Sequence, residues 1–450
     1  MDSLKQFFDV VGGWVWGVPM LTLLVGTGVY LSLRLRFLQF SMLVFALKQA
    51  FTPHGKKEDG SDHDGDVSHF GALMTALSAT IGTGNIAGVA TAVVAGGPGA
   101  VFWMWITAIF GMATKYAEGV LAVKYRTTNS RGEKSGGPMY YIERGLNMKW
   151  MALLFALFGT LASFGIGSSV QSNSVAQSIQ ASFQIDSWMT GVVLTVFTAL
   201  VILGGIKSIS RVSSAIVPVM AIGYVLGGLV VIFSNLSLVG PVLELIFTDA
   251  FTGQAVAGGA LGTVIRYGVA RGVFSNEAGM GSAPIAAAAA KTDHPVRQGL
   301  VSMTGTFLDT IVVCSITGIV LVMGGLYTNG ETGAALTTHT FEQLLPGMGG
   351  WIVTFGLVFF AYSTILGWCY YGEKCASYLL GDGFVLIYRL LYVASVFLGT
   401  VVSLDLVWAA SDVFNGLMAI PNLIALLLLT GVVVAETRDF AEKRRSGHLY

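Results

Sequence analysis

The sequence predicts an all-α membrane protein of eleven transmembrane helices: one extra N-terminal helix, then two inverted sets of five, each opened by a broken helix. Three observations carry this. Of 450 residues, 54% are hydrophobic and 11% charged, with a mean hydropathy of +0.71. A soluble domain carries about 25% charged residues, and one core of this size cannot hide so much apolar side chain. Runs long enough for a crossing of about 20 residues recur along the chain, and Lys and Arg fall almost wholly into alternate loops.

The runs lie at 14–33, 70–97, 99–123, 150–182, 187–205, 214–234, 256–290, 299–325, 350–371, 384–404 and 407–434. With the N-terminus outside, the cytoplasmic segments are 34–66, 124–149, 206–213, 291–298, 372–384 with the start of span ten, and the tail after 436. They hold every basic residue except Lys5, which precedes the first span, and Lys115, Arg266 and Arg271, which lie within spans. An odd number of crossings follows, N-terminus out and C-terminus in. The N-terminus lacks the basic, apolar, small-residue order of a cleaved signal peptide, so the first span is expected to stay.

Five segments follow the extra helix (1–34): a cytoplasmic loop (35–69), a first repeat (70–235), an extracellular connection (236–255), a second repeat (256–435) and a cytoplasmic tail (436–450). Span starts at 99, 150, 187 and 214 are matched by starts at 299, 350, 384 and 407. Gly84-Asn85-Ile86-Ala87-Gly88 is echoed by Ser275-Asn276-Glu277-Ala278-Gly279. Five is odd, so the halves cross in opposite senses. The loop Gly55 to Asp66 reads as a solvated linker. Its Asp-rich run lacks the closing Glu of a calcium loop.

Each repeat opens on a weakened helix. Ser78-Ala79-Thr80-Ile81-Gly82-Thr83-Gly84-Asn85 places two glycines mid-span, each costing about 1 kcal/mol relative to Ala. The seventh span has glycines at 272, 279 and 281, with Pro284 beyond. Backbone groups freed in lipid must be satisfied, and facing half-helix ends bind a carboxylate at N-termini and a cation at carbonyl ends. The pair suits a zwitterion. Span four carries Ser163, Ser168, Ser169, Gln171, Ser172, Asn173, Ser174 and Gln177 and is expected to line an aqueous path. In span nine, the adjacent hydroxyls of Ser363 and Thr364 can complete an oxygen cage for a hard monovalent cation. Intramembrane charges are costly, so Lys115, Glu118, Arg271, Glu277 and Asp309 are functional candidates. Lys115 and Glu118, three apart, can pair on one helix face, and Arg271, Glu277 and Asp309 can form a second network.

Other classes are disfavoured. Equal numbers of acidic and basic residues, 25 of each, argue against nucleic-acid binding. Cys314, Cys369 and Cys375 read as packing residues. The six histidines lie in loops, tails or span edges, so no imidazole site forms mid-membrane and an enzyme is not expected. Gly82 to Ala87 matches the dinucleotide fingerprint G-x-G-x-x-A, but within an apolar run with no preceding strand. No organic cofactor is expected.

The stretches ATIGTGNIAGVATAVVAGGPGAVFWMW (79–105) and GVARGVFSNEAGMGSAPIAAAAAKT (268–292) closely resemble the signature regions of the alanine or glycine:cation symporter family, within the amino acid–polyamine–organocation group. The likeness covers essentially the whole chain after the first span. It implies a LeuT-type fold and uptake of alanine or glycine with sodium, or less often protons, across the plasma membrane. It also implies sodium held by the carbonyls of Ser78, Ile81 and Phe360 and the hydroxyls of Ser363 and Thr364. Thr80, Gly82, Thr83, Gly84 and Asn85 would meet the substrate. Phe274, Ser275, Asn276, Gly279, Met280 and Trp368 would close the pocket, with Gln171 opposite and Phe164 limiting its size. No ligand set for a second ion is evident. The expected partners are the amino acid, sodium and the bilayer, with the chain working as a monomer; the main rival is a channel.

Overall fold

Helix boundaries follow local chemistry. The computed structural model describes residues 2–52, 63–252, 261–402 and 405–446. Most of the expected Gly55–Asp66 linker lies outside the described residues, as do 253–260. Gly17 and Pro19 interrupt the first apolar run, giving α1 (Asp2–Val15) and α2 (Val18–Arg34), bent by 40°. After the short α3 (Leu38–Ser41) and α4 (Leu43–Phe51) comes α5 (His69–Thr80), capped by the Ser68 hydroxyl on the Gly71 N–H at 3.0 Å. Then follow α6 (Ala87–Gly96), α7 (Ala100–Lys124), α8 (Pro138–Leu146), α9 (Lys149–Phe183), α10 (Ser187–Ile202), α11 (Gly205–Ser234) and α12 (Leu236–Thr252).

The second half holds α13 (Leu261–Asn276), α14 (Ala283–Ala287), α15 (Pro295–Gly324), α16 (Gly333–Leu344), α17 (Gly349–Leu380), α18 (Val385–Val401), α19 (Asp405–Leu428) and α20 (Thr430–Arg445). The architecture is all-helical apart from a two-stranded ribbon, β1 (Thr127–Thr128) with β2 (Lys134–Ser135). Among the described residues, seven helices are long and apolar enough to cross a membrane, or eight if the bent α1–α2 pair is one span. The two glycine-rich runs are broken, so neither piece is membrane-length. The expected connection at 236–255 is helical over its described part, and α16 and α20 add helices that the apolar-run reading does not contain.

Burial sorts the helices into centre and periphery. The most apolar window of α7 is 83% buried and that of α11 only 28%. Val219, Ile222, Leu226, Val230 and Phe233 of α11 are exposed, as are Leu386, Ile387, Leu390 and Leu391 of α18. In water such a belt would be an aggregation surface; in a bilayer it is the lipid face. The chain is a multi-pass membrane protein. Around α7 pack α13 and α15, while α17 meets α5, α9 and α11. Small residues permit these contacts: a Cβ on Gly367 of α17 would lie 2.7 Å from Ala79 of α5.

A polar clasp closes the end that carries the basic loops. Lys374, buried at the end of α17, reaches Glu133 at 2.9 Å. Arg131 bridges Glu133 at 2.9 Å and Glu373 at 3.2 Å, and Arg389 of α18 holds Glu373 at 2.7 Å. Arg126 donates to the carbonyls of Ala288 at 3.0 Å and Ala290 at 2.7 Å, just beyond α14. Burial alone would raise the Glu133 carboxyl, but Lys374 and Arg131 hold it below its ordinary value. A depressed carboxyl stabilises the folded state fully above the unfolded value, about pH 4.3, and loses that contribution as the pH falls through the folded value. Amide exchange in residues 127–135, corrected for its intrinsic pH dependence, is therefore expected to be slow at neutral pH and to accelerate in acid. Glu133→Gln is expected to give the fast exchange already at neutral pH. The cost stays below the ~3–5 kcal/mol of a fully buried pair, because Glu133 keeps partial contact with water.

Candidate functional site: two helix breaks and a buried oxygen cluster

The first break is stabilised by its own side chains. α5 ends as Ile81 and Gly82 turn extended, and a 3₁₀ turn over Thr83–Asn85 leads into α6. The Gly82 N–H donates to Asn85 Oδ1 at 2.9 Å, and the Asn85 N–H returns to the Gly82 carbonyl at 3.2 Å. A Cβ on Gly82 would stand 2.5 Å from Thr364 Oγ1, so glycine is what lets α17 approach here. The Thr83 N–H faces Gln171 Oε1 of α9 at 3.5 Å.

Beside this break lie the five oxygens expected around sodium. Ser363 Oγ lies 3.2 Å from the Ser78 carbonyl and 2.9 Å from that of Phe360; Thr364 Oγ1 lies 3.4 Å from the Ile81 carbonyl and 2.9 Å from that of Phe360. All five residues are buried. The set is neutral and all-oxygen, at the carbonyl end of α5 where the helix dipole is negative. Divalent ions demand carboxylates or many waters. A hard monovalent cation fits the donor set.

The second break ends α13 at Asn276. Glu277 adopts φ 54°, Gly279 86° and Gly281 84° before α14. The polar groups freed here are bonded. Asn276 Oδ1 accepts from the Ala278 N–H at 2.9 Å, Glu118 from the Gly281 N–H at 3.1 Å, and the Gly279 carbonyl from Asn422 of α19 at 2.9 Å. The Glu277 carboxylate takes Trp368 Nε1 at 3.0 Å and Ser282 Oγ at 2.5 Å.

The two breaks meet. A Cβ on Gly84 would touch the Phe274 ring at 3.4 Å and Ser275 Cα at 3.5 Å. Asp309, in a π-helical stretch of α15 (Phe307–Cys314), accepts Asn85 Nδ2 at 2.7 Å on one oxygen. Its other oxygen accepts Ser275 Oγ at 2.9 Å and Thr310 Oγ1 at 2.7 Å. Asn276 Nδ2 reaches Thr310 at 3.2 Å. Asp309 is thus the junction of both unwound segments. Its charge in an apolar run flagged it, but nothing in the run revealed its partners. Thr310 and Asn422 gave no comparable signal.

Several expectations change. Gly279 packs against Leu423, Leu24 and Thr114, away from the first break's side chains, and Met280 is fully buried in the main apolar core. The left-handed turn at Glu277 carries both residues past the junction. Trp368 is spent on Glu277 and on Tyr371, with ring centroids 5.6 Å apart. Thr80 turns to a cavity of about 10 Å³, room for one water, shared with Lys115, Asn276, Gln298 and Ser302. The Lys115–Glu118 pair is not made: Gly281 and Asn422 both donate to Glu118 Oε1, and among the described residues neither Glu118 Oε2 nor Lys115 Nζ has a hydrogen-bond partner. Arg271, Glu277 and Asp309 do not form one network; Arg271 lies over Phe274, 5.5 Å from the ring centre. Most polar side chains of α9 do not line a path. Ser163 bonds Tyr388 at 2.9 Å, Ser168 bonds Ser395 at 2.6 Å and Asn173 bonds the Gly399 carbonyl at 3.0 Å, so they fasten α9 to α18. Phe164 meets Tyr388 edge-on and Tyr392 at a tilt. Gln171 of this group faces the break.

His294, Glu436 and Asp439 come together at the basic-loop end. His294 Nδ1 accepts from the Val296 N–H at 3.2 Å, so Nε2 carries the proton given to Asp439 at 2.9 Å. Lys124 and Lys443 neutralise the carboxylates at 2.6 and 2.8 Å. A protonated Nε2 is no ligand, and this cluster is an ion-pair network.

A family model described as the sodium:alanine symporter family matches residues 1–449. The chain is 58% identical to the sodium/alanine symporter AgcS of Methanococcus maripaludis, over 97% of each chain. It is 38% identical to the probable sodium/glutamine symporter GlnT of Bacillus subtilis, over 99% of this chain and 92% of that one. Its fold resembles that of MhsT in complex with L-phenylalanine, with a TM-score of 0.54 and 14% identity over 83% of this chain and 98% of that one. A Na⁺-coupled sialic acid symporter matches with a TM-score of 0.51 and 12% identity over 94% and 86%.

The junction at Asp309 is testable. Asp309→Ala strands the Asn85 amide and the Ser275 hydroxyl in a dry interior, at about 1–3 kcal/mol for each unsatisfied group. A clear drop in the melting temperature of the purified protein in detergent is expected, larger than that of Cys314→Ala beside it.

Proposed function

Since the chain belongs to the sodium:alanine symporter family, whose members are transporters and not enzymes, we propose that it imports a small neutral amino acid, alanine or glycine, with sodium by alternating access. The observation that carries this reading is the neutral oxygen cluster of Ser78, Ile81, Phe360, Ser363 and Thr364, set where the α5 break meets α17. Sodium there ties the break to α17 and fixes the extended backbone of Gly82. The N–H groups of Thr83, held by Gln171 only at 3.5 Å, and of Gly84, at the positive start of α6, then receive the substrate carboxylate. Gln171, Ser275 and Asn276 line the same space and Phe274 bounds it. Binding of both solutes favours the closed arrangement from which one bundle rocks against the other.

In this reading the bent α1–α2 pair, the two broken helices and the short α10 join the seven long helices as crossings. That gives eleven spans, an extra helix and two inverted sets of five. The N-terminus lies outside, the basic loops and the clasp lie in the cytoplasm, and the chain works as a monomer in the plasma membrane. The alanine assignment draws support from the relative named a sodium/alanine symporter at 58% identity.

Proton coupling is the second reading, favoured by one observation: the Asp309 carboxylate is the acceptor that both breaks share, so a proton arriving there would part them. Uptake of labelled alanine into proteoliposomes, with sodium and proton gradients imposed separately, decides. A sodium gradient alone is expected to drive accumulation; accumulation on a proton gradient without sodium would overturn sodium coupling. Thr364→Val keeps the shape and removes one ligand oxygen. It is expected to raise the half-saturating sodium concentration about tenfold, the equivalent of about 1.4 kcal/mol, at unchanged protein level.

A further inference from the structure

A groove of about 380 Å³ opens at the basic-loop end between the α3–α4 segment, α15 and the tail helix α20, within the size range of small-molecule sites. Met42 walls it on one side and Leu300 of α15 on another. On α20 the lining changes character along the helix: Phe440 and Ala441 are followed one turn on by Arg444 and Arg445. No carboxylate lines the groove, and its one hydroxyl, Thr437, is spent on the Val433 carbonyl at 2.6 Å. Lys443 beside the arginines is neutralised by Asp439 at 2.8 Å, whereas among the described residues neither Arg444 nor Arg445 has a carboxylate within 4.0 Å. The Arg444 guanidinium lies flat over Phe45, 4.0 Å from the ring centre, with one N–H toward the Met42 sulfur at 3.9 Å. Stacking uses the face of a guanidinium and leaves its other in-plane N–H donors for an anion. Phe40 and Val44, on either side of Met42, are 57% and 68% exposed. Such residues belong against lipid, so the groove sits at the edge of the bilayer.

From this geometry we infer that the groove binds one anionic phospholipid of the surrounding bilayer, an acyl chain along Met42, Leu300 and Phe440 and the phosphodiester on Arg444 and Arg445. The order of chemistry matches such a ligand, apolar wall first and two guanidiniums about 6 Å further along the helix. Charge selects the headgroup: two cations with no acid between them favour a net negative lipid, whereas a choline headgroup would bring its own cation to the same place. Free phosphate would satisfy the arginines and leave the apolar walls bare. The lipid would join segments from opposite ends of the chain, the α3–α4 segment and α20, to α15. The site needs nothing from the reading of the central cluster.

The test is native mass spectrometry of the full chain in detergent, titrated with dioleoyl phosphatidylglycerol or dioleoyl phosphatidylcholine. The first phosphatidylglycerol is expected to bind the wild type about thirtyfold more tightly than phosphatidylcholine, about fivefold for each of two arginines. Arg444→Gln with Arg445→Gln is expected to bring phosphatidylglycerol to the level of phosphatidylcholine, and Arg444→Lys with Arg445→Lys to keep the preference. Ala441→Trp, which fills the groove without touching its charges, is expected to abolish the tight binding. Excess inorganic phosphate is expected to leave the lipid bound; its displacement would show an anion site without a chain and overturn the lipid assignment. Equal binding of the two lipids by the wild type, or a preference unchanged by the glutamine pair or by Ala441→Trp, would overturn the site. Should the glutamine pair fail to fold, Ala441→Trp decides alone.

Discussion

Main chain unwound in a dry, apolar interior must find partners, and most of this structure's central arrangement follows from that requirement. Two glycine-weakened helices come apart at 81–86 and 277–282, and the polar groups freed there would each cost several kcal/mol if left bare. Side chains meet them: Asn85 of the first break on its own Gly82, and Asn422 and Glu118 from other helices on the second. What is held only loosely is a short row of groups, the Thr83 N–H at 3.5 Å from Gln171 beside the Gly84 amide on one side, and the hydroxyls and carbonyls against α17 on the other. The interior has polar capacity left in one compact place, and that place suits solutes bearing charge.

Asp309 turns two local breaks into one unit. Because a single carboxylate accepts from Asn85 and from Ser275, a shift of either unwound segment is felt by the other. The surrounding contacts are made tight by small residues, so movement is better described as one packed group sliding on another than as bending of each helix. The clasp of Glu133, Lys374, Arg131 and Glu373 ties the ribbon to α17 and α18 at the basic-loop end, whereas a cavity between α1, α13 and α19 leaves Arg271 and Asp412 apart.

The legible part of the molecule was what local composition controls. Gly82 and Gly84 beside Asn85, and the glycines after Asn276, mark both breaks because propensity and polarity act over a few residues. The pairing of Ser363 and Thr364 with Ser78 and Ile81 came through the resemblance. Nothing within 363–364 says which carbonyls lie 285 residues away in sequence. Tertiary choice also decided the misses. Lys115 and Glu118 are spaced to pair, but the Gly281 amide and Asn422 hold the carboxylate by Oε1, and its other oxygen and the Lys115 ammonium are left without a hydrogen bond among the described residues. The hydroxyls of α9 looked like an aqueous lining because a polar helix face reads the same whether it meets water or another helix. The α1 helix falls outside the apolar runs because Asp2, Lys5 and Asp9 lie among its apolar residues and lower the hydropathy of the window.

A site that must release its ion cannot be built like one that keeps it. A carboxylate among the ligands would deepen the well for a monovalent cation and would retain a divalent one. Here the nearby carboxylates are already committed, Glu277 to Trp368 and Ser282, Asp309 to Asn85, Ser275 and Thr310. The cluster itself holds only carbonyls and hydroxyls. On the reading proposed above, its hold on a cation depends on geometry, on the extended Gly82 and the close approach of α17 to α5 that Gly367 permits. Separating those helices by a small distance dismantles the ligand set without moving any charge through the apolar interior. On that reading, neutral ligands shared between two moving parts make ion affinity and conformation the same variable, and that identity would be the physical basis of coupling.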